Sequence, residues 1–84
     1  MYKLKYTSQS QKDAKKLKLV GLKRKVEKLL EIISTNPFQN PPPYEKMLGY
    51  SNVYSRRINK QHRLVYEVYD EKIILVAQMW THYE

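Results

Sequence analysis

The stretch that decides the fold is Val53-Tyr-Ser-Arg-Arg-Ile58, Asn59-Lys-Gln-His62, Arg63-Leu-Val-Tyr-Glu-Val-Tyr69, Asp70-Glu71 and Lys72-Ile-Ile-Leu-Val-Ala-Gln-Met-Trp-Thr81. It holds three runs rich in Val, Ile, Leu and Tyr, separated by connectors of four and two residues. β-branched and aromatic side chains suit the half-buried surface of a pleated sheet. Connectors this short close hairpins and leave no room for a crossover. The spacing therefore predicts strands over Val53–Ile58, Arg63–Tyr69 and Lys72–Thr81, joined as an antiparallel meander.

Upstream of the meander, Asn36-Pro-Phe-Gln-Asn-Pro-Pro-Pro43 contains all four prolines of the chain. Proline fixes φ and donates no amide hydrogen bond, so this segment reads as a stiff connector that delivers Tyr44-Glu45-Lys46 to a defined place. Before it, Leu22, Val26, Leu29, Leu30 and Ile33 recur at i, i+4, i+7, i+8 and i+11. That is one face of an amphipathic helix from Leu22 to the neighbourhood of Asn36-Pro37. Gly21 separates it from an earlier helix that Ser8 or Ser10 can cap and that runs to about Lys18. Residues 2–6, Tyr-Lys-Leu-Lys-Tyr, alternate and read as a half-buried strand. The order β-α-α-loop-β-β-β, with helices on one face of an antiparallel sheet, predicts an α+β two-layer sandwich over a single domain, residues 1–84.

Composition narrows the chemistry. A chain of 84 residues is too short for the roughly 200–250 residues of a barrel or six-stranded dinucleotide fold. Sixteen Lys and Arg face eight Asp and Glu, a formal charge of +8, and ten of those bases against two acids fall in the first 28 residues. A small basic domain implies a polyanionic partner: nucleic acid, an anionic membrane surface or an acidic protein. The absence of cysteine excludes disulfides, thiol catalysis and Cys-bound zinc. With two glycines there is no Gly-rich phosphate loop, and no His-x-x-x-His or similar spacing points to a metal; no metal and no cofactor are expected. The start of the chain has no apolar h-region, so no signal peptide is expected. The longest apolar run, Ile73–Ala77, falls far short of the roughly 20 residues of a membrane span. A cytoplasmic protein with no membrane partner is the expectation.

The second half carries a parts list for metal-free RNA cleavage: Glu45 after the stiff loop, Arg56, Arg57 and Arg63 around the first hairpin, His62 in its turn, and His82-Tyr83 at the end of the last run. The ribose 2′-OH must lose a proton to attack the adjacent phosphate, and the 5′-oxygen must gain one as it leaves. Arginines stabilise the extra negative charge of the phosphorane between these steps. Read one at a time the same residues are ordinary. Glu45 is a solvated loop acid, Arg56-Arg57 an exposed basic pair, His62 a surface turn residue, and His82 and Tyr83 a fraying terminus. Tyr50, Tyr54, Tyr66 and Tyr69 then read as core or rim aromatics. Residues alone stop at a basic α+β domain suited to RNA.

Taken together, Asn36-Pro-Phe-Gln-Asn-Pro-Pro-Pro-Tyr-Glu-Lys46, Tyr54-Ser-Arg-Arg-Ile-Asn59, His62-Arg-Leu-Val-Tyr66 and the final His82-Tyr83 resemble the Txe/YoeB toxins of the RelE superfamily, over nearly the whole chain. The resemblance implies a microbial-ribonuclease-like α+β fold. It implies an endoribonuclease, an mRNA interferase, that acts in the A site of the 70S ribosome, cleaves mRNA and blocks translation. It also implies a cognate antitoxin of the YefM/Axe (Phd-like) type that covers the site, operator DNA bound only through the antitoxin complex, and a possible homodimer. Residue by residue, Glu45 matches the family's general base, His82 its general acid, Arg63 the arginine at the scissile phosphate and Arg57 a second one. Tyr83 matches the tyrosine beside the catalytic histidine, and Lys46 and Arg56 stand as further RNA contacts. The chain departs from the pattern in a shorter loop after Glu45 and in Glu84 beyond the His-Tyr pair. The alternatives are a gyrase-directed toxin of the same fold without nuclease activity and a non-catalytic ribosome- or RNA-binding module. Relatives of the gyrase-directed kind generally lack this Glu/Arg/His-Tyr set.

Overall fold

The three β-rich runs do form consecutive hairpins. In a computed structural model, which describes residues 1–70 and 72–80, strands β3 (Val53–Arg57), β4 (Arg63–Val68) and β5 (Ile73–Gln78) pair antiparallel in sequence order. β3 and β4 each lose one residue of their run to the following connector, and β5 starts one residue late and ends at Gln78. Asn59 Oδ1 accepts from the backbone N–H groups of Gln61 and His62, and Asp70 Oδ1 accepts from those of Lys72 and Ile73. Both are local side-chain caps of a kind that Asn and Asp supply in turns.

The N-terminal strand, β1 (Lys3–Tyr6), lies beside β5 and parallel to it, with Lys3 opposite Ile73 and Tyr6 opposite Val76. A two-residue strand, β2 (Glu45–Lys46), adds to the other edge, antiparallel to β3. The sheet is therefore mixed and five-stranded, in the order β1-β5-β4-β3-β2. The sequence shows no separate run for β2, since a strand of two residues has no periodicity to display.

Between β1 and β2 run α1 (Ser8–Leu19) and α2 (Lys23–Thr35). The cap of α1 is Thr7, one residue before the expected Ser8. Its hydroxyl accepts from the Ser10 amide at 3.0 Å and donates to the Ala77 carbonyl at 2.7 Å, so one side chain ends the helix and ties it to the sheet. Ser10 is used otherwise: it is buried and donates back to the Thr7 carbonyl. Gly21 terminates α1 at φ +79°. The Gly21 N–H donates to Lys18 O and the Leu22 N–H to Leu17 O, the paired bonds of a helix end that needs a left-handed residue.

Both helices cover one face of the sheet. Leu17 from α1 and Val26, Leu29 and Ile33 from α2 meet Leu64 and Tyr66 of β4 and Ile74 and Val76 of β5, with Ile58 and Met79 closing the ends. Of the four tyrosines read as core or rim, Tyr66 is fully buried, Tyr54 is half-buried and packs on the core, and Tyr50 and Tyr69 are exposed. No helix among the described residues is long and apolar enough to cross a membrane.

Candidate active face of the sheet

Strand register gathers the polar groups on the face away from the helices. Glu45 lies opposite Ser55, Ser55 opposite Val65, and Arg57 opposite Arg63. Directly opposed residues share a face, and so do residues two apart on one strand. Glu45, Ser55, Arg57 and Arg63 therefore share one face, while Tyr54, Arg56, Leu64 and Tyr66 share the other. The four-residue connector between β3 and β4 keeps the two arginines in phase.

Side-chain bonds complete the arrangement. Arg63 Nη2 donates to Glu45 Oε1 at 2.5 Å, and Arg63 Nε donates to the buried Ser55 Oγ at 3.2 Å. Ser55 thus aims the guanidinium at the carboxylate. The pair is asymmetric: the Glu45 side chain is 71% exposed and that of Arg63 28%. Such an exposed pair adds little to stability. Arg57 is exposed, and Nη1 reaches only its own turn, the Lys60 carbonyl at 3.3 Å. Beside this face the β4–β5 ladder is irregular. Val65 pairs with Gln78 while Tyr66 pairs with Val76, which leaves Ala77 as the extra residue of a bulge and turns the end of β5.

Not every candidate joins the group. Lys46 is exposed opposite Tyr54 and so has the opposite phase to Glu45. His82 and Tyr83 lie outside the described residues.

Arg56 corrects the expectation that it contacts RNA or stands as an exposed pair with Arg57. It is 0% exposed. Nε donates to the Tyr66 hydroxyl, Nη1 to Pro42 O, and Nη2 to both Pro37 O and Gln39 O, at 2.6 to 3.1 Å. The Tyr44 ring lies 5.0 Å from its Cζ. A guanidinium engaged in this way has no surface to offer a phosphate. The reason is the period of two: adjacent arginines on one strand must face opposite ways.

His62 is a second correction. It is not a surface turn residue but 6% exposed, with its ring stacked 3.9 Å from that of Trp80, over which Lys16 Nζ also sits. Residue-by-residue reading missed Ser55 altogether. Its signal was parity, since it lies two before Arg57 on a strand and so shares its face.

Among the described residues, no group of three His, Asp or Glu side chains is placed to hold a metal ion. A groove of about 460 Å³ lies between α1 and α2, walled by Leu17, Val26, Leu30 and Met79. It is on the helical side and contains none of the polar group above.

Comparison with known proteins places the family and the fold. A family model described as the YoeB-like toxin of bacterial type II toxin–antitoxin systems matches residues 5–83. Toxin YoeB of Synechocystis sp. is 35% identical over 77 residues, covering 88% of this chain and 79% of that protein. Among solved structures, the YoeB/ParE toxin from Agrobacterium tumefaciens superposes with a TM-score of 0.85 at 27% identity, covering 96% of this chain and 99% of the other. The YoeB dimer from Staphylococcus aureus gives 0.84 at 31% identity over 98% of both chains. The same organism's YoeB–YefM complex gives 0.82 at 31% identity over 99% of both.

Proposed function

Since the chain belongs to the YoeB-like toxins of bacterial type II toxin–antitoxin systems, we propose that its toxicity is that of an endoribonuclease cleaving mRNA in the ribosomal A site without a metal. The observation that carries this reading is the Ser55–Arg63–Glu45 chain of hydrogen bonds beside Arg57 on an open sheet face. A base and two phosphate-binding cations converge where a nucleic-acid strand can lie.

Before RNA arrives, Arg63 neutralises Glu45. An entering phosphate offers the guanidinium two oxygens in a fork and draws it off the carboxylate, which is then free to accept the 2′-OH proton. The 2′-oxygen attacks phosphorus. Arg63, with Arg57, stabilises the phosphorane, and the P–O5′ bond breaks to leave a 2′,3′-cyclic phosphate and a 5′-hydroxyl. The proton taken up by the departing 5′-oxygen is assigned to His82, with Tyr83 beside it, on the family resemblance. Lys46, at the sheet edge, is kept as a contact to a flanking phosphate.

The partners follow the same reading: the 70S ribosome with its mRNA, an antitoxin of the YefM type as in the Staphylococcus aureus complex, and a homodimer as in the dimeric relative. The place of action is the bacterial cytoplasm.

Expression of the wild type is expected to arrest growth and to produce 5′-hydroxyl ends within A-site codons. Glu45→Gln, Arg63→Ala and His82→Gln are each expected to abolish both. Primer extension on ribosome-bound mRNA reads the cleavage. Arrest that persists undiminished in all three variants overturns the nuclease reading.

A further inference from the structure

Arg56 holds a charge where the fold would be expected to place an aliphatic side chain. It is as deeply buried as Leu64 and Ile74, and among the described residues no carboxylate pairs with it. Burying a guanidinium without a counter-ion is costly and is tolerated only when its hydrogen bonds are satisfied. Here four N–H directions are used, three of them on carbonyls of one loop.

The chemistry of that loop explains the choice. Pro37, Pro41, Pro42 and Pro43 donate nothing, so much of the segment has only acceptors to offer. A guanidinium is a donor with no acceptor and a planar fan of five N–H groups. It is the side chain able to gather several carbonyls at once. The Tyr66 hydroxyl joins the same knot, accepting from Arg56 Nε and donating to Pro37 O at 2.8 Å.

The consequence falls on β2. The loop ends at Tyr44, whose ring is drawn onto the Arg56 guanidinium and packs edge-on against Tyr54. With Tyr44 turned inward, strand alternation sends Glu45 outward, to Arg63. A slip of one residue would reverse both. A strand of two residues has too few ladder bonds to set its own register.

We propose that Arg56 is a positioning residue. By holding the proline loop and Tyr44 from inside the sheet, it fixes the phase and place of Glu45 on the opposite face. The proposal rests on the reading of Glu45 as the general base. It assigns Arg56 no contact with RNA.

The test compares full-length wild type with Arg56→Lys, Arg56→Met and Glu45→Gln, in ribosome-dependent cleavage and in amide hydrogen exchange. Lysine keeps the charge but lacks the fan. Both Arg56 variants are expected to lower kcat by about 10²-fold, the scale of an ångström of misplacement, with KM and the salt dependence of RNA binding unchanged. Exchange of the Met47 amide, which bonds Val53 O across the β2–β3 edge, is expected to quicken while amides of Leu64 and Val76 keep their protection. If Arg56→Met does not fold, Tyr66→Phe removes the hydroxyl from the knot while keeping the ring, and a smaller loss of kcat with the same selective exchange is expected.

A wild-type kcat in the Arg56 variants overturns the proposal. So does a loss carried by KM with a salt slope reduced by about 0.7, the mark of one RNA phosphate left unneutralised. Core amides that exchange as fast as Met47 reduce Arg56 to a stability residue. If Glu45→Gln cleaves normally, the base assignment fails, and exchange alone then decides the clamp: an unchanged Met47 amide in Arg56→Lys refutes it.

Discussion

At the scale of single residues, the candidate site is held by side chains behind the Glu45–Arg63 pair. Ser55 is buried and its hydroxyl accepts from Arg63 Nε. Ser55→Ala leaves that N–H without its partner and frees the guanidinium to swing. A cost of about 1 kcal/mol in stability is expected, together with a fall in kcat larger than the fall in folded protein. Urea unfolding and single-turnover cleavage measure the two. Tyr66 makes a separate prediction. Burial pushes its hydroxyl above the ordinary 10.0, outweighing the lowering by the hydrogen bond and charge of Arg56. The folded state therefore resists ionisation more than the unfolded chain does. The stability this confers is complete below about pH 10 and is lost as pH rises through the folded value. Tyr66→Phe is expected to flatten the fall of stability above pH 10 seen in chemical unfolding. Tyr6, raised for the same reason of burial, leaves a residual slope.

At the scale of elements, short pieces are held by long-range ties. Thr7 caps α1 and reaches Ala77, the extra residue of the bulge that turns the end of β5. Thr7→Ala removes both bonds, and a loss of about 2 kcal/mol is expected, at the upper end for an N-cap; Thr7→Ser recovers most of it. Urea midpoints at constant m-value check this. Asp13, buried on the same helix, accepts from the Met79 N–H. The chain leading to His82 thus leaves the sheet between two contacts from α1. Helix α1 does more here than present lysines, and its low amphipathic contrast in the sequence reflects buried groups that are polar: Ser10 and Asp13.

At the scale of the whole molecule, charge is divided by sequence. The first 28 residues carry ten bases and two acids, and the rest carries six of each. The net +8 therefore belongs to β1, α1 and the start of α2, while the candidate active face lies on β2, β3 and β4. On the proposed nuclease reading, attraction and chemistry are separable. Lys12→Glu with Lys15→Glu, both exposed on α1, is expected to weaken ribosome association and flatten its salt dependence, by about 0.7 for each single-strand phosphate left unneutralised. The cleavage rate at saturating ribosomes is expected to stay the same. Binding titrations across salt, paired with saturating kinetics, measure both.

Much of this molecule is written locally. Leu22, Val26, Leu29 and Ile33 give the helix, Gly21 its predecessor's end, and the three β-rich runs with short connectors give the hairpins, because periodicity and turn chemistry act over a few residues. The motif that resembles the toxin family likewise lies in the sequence. What neighbours in sequence cannot decide is what lies across from them. Parity sets Arg56 and Arg57 on opposite faces, but only the packed sheet pairs Arg57 with Arg63, turns Arg56 inward and supplies the proline carbonyls and Tyr66 hydroxyl that receive it. The parallel pairing of β1 with β5 joins residues some seventy apart, and β2 exists only as an edge on β3. The two residues of β2 have no periodicity of their own, so tertiary contacts alone fix their register and, with it, the direction of Glu45.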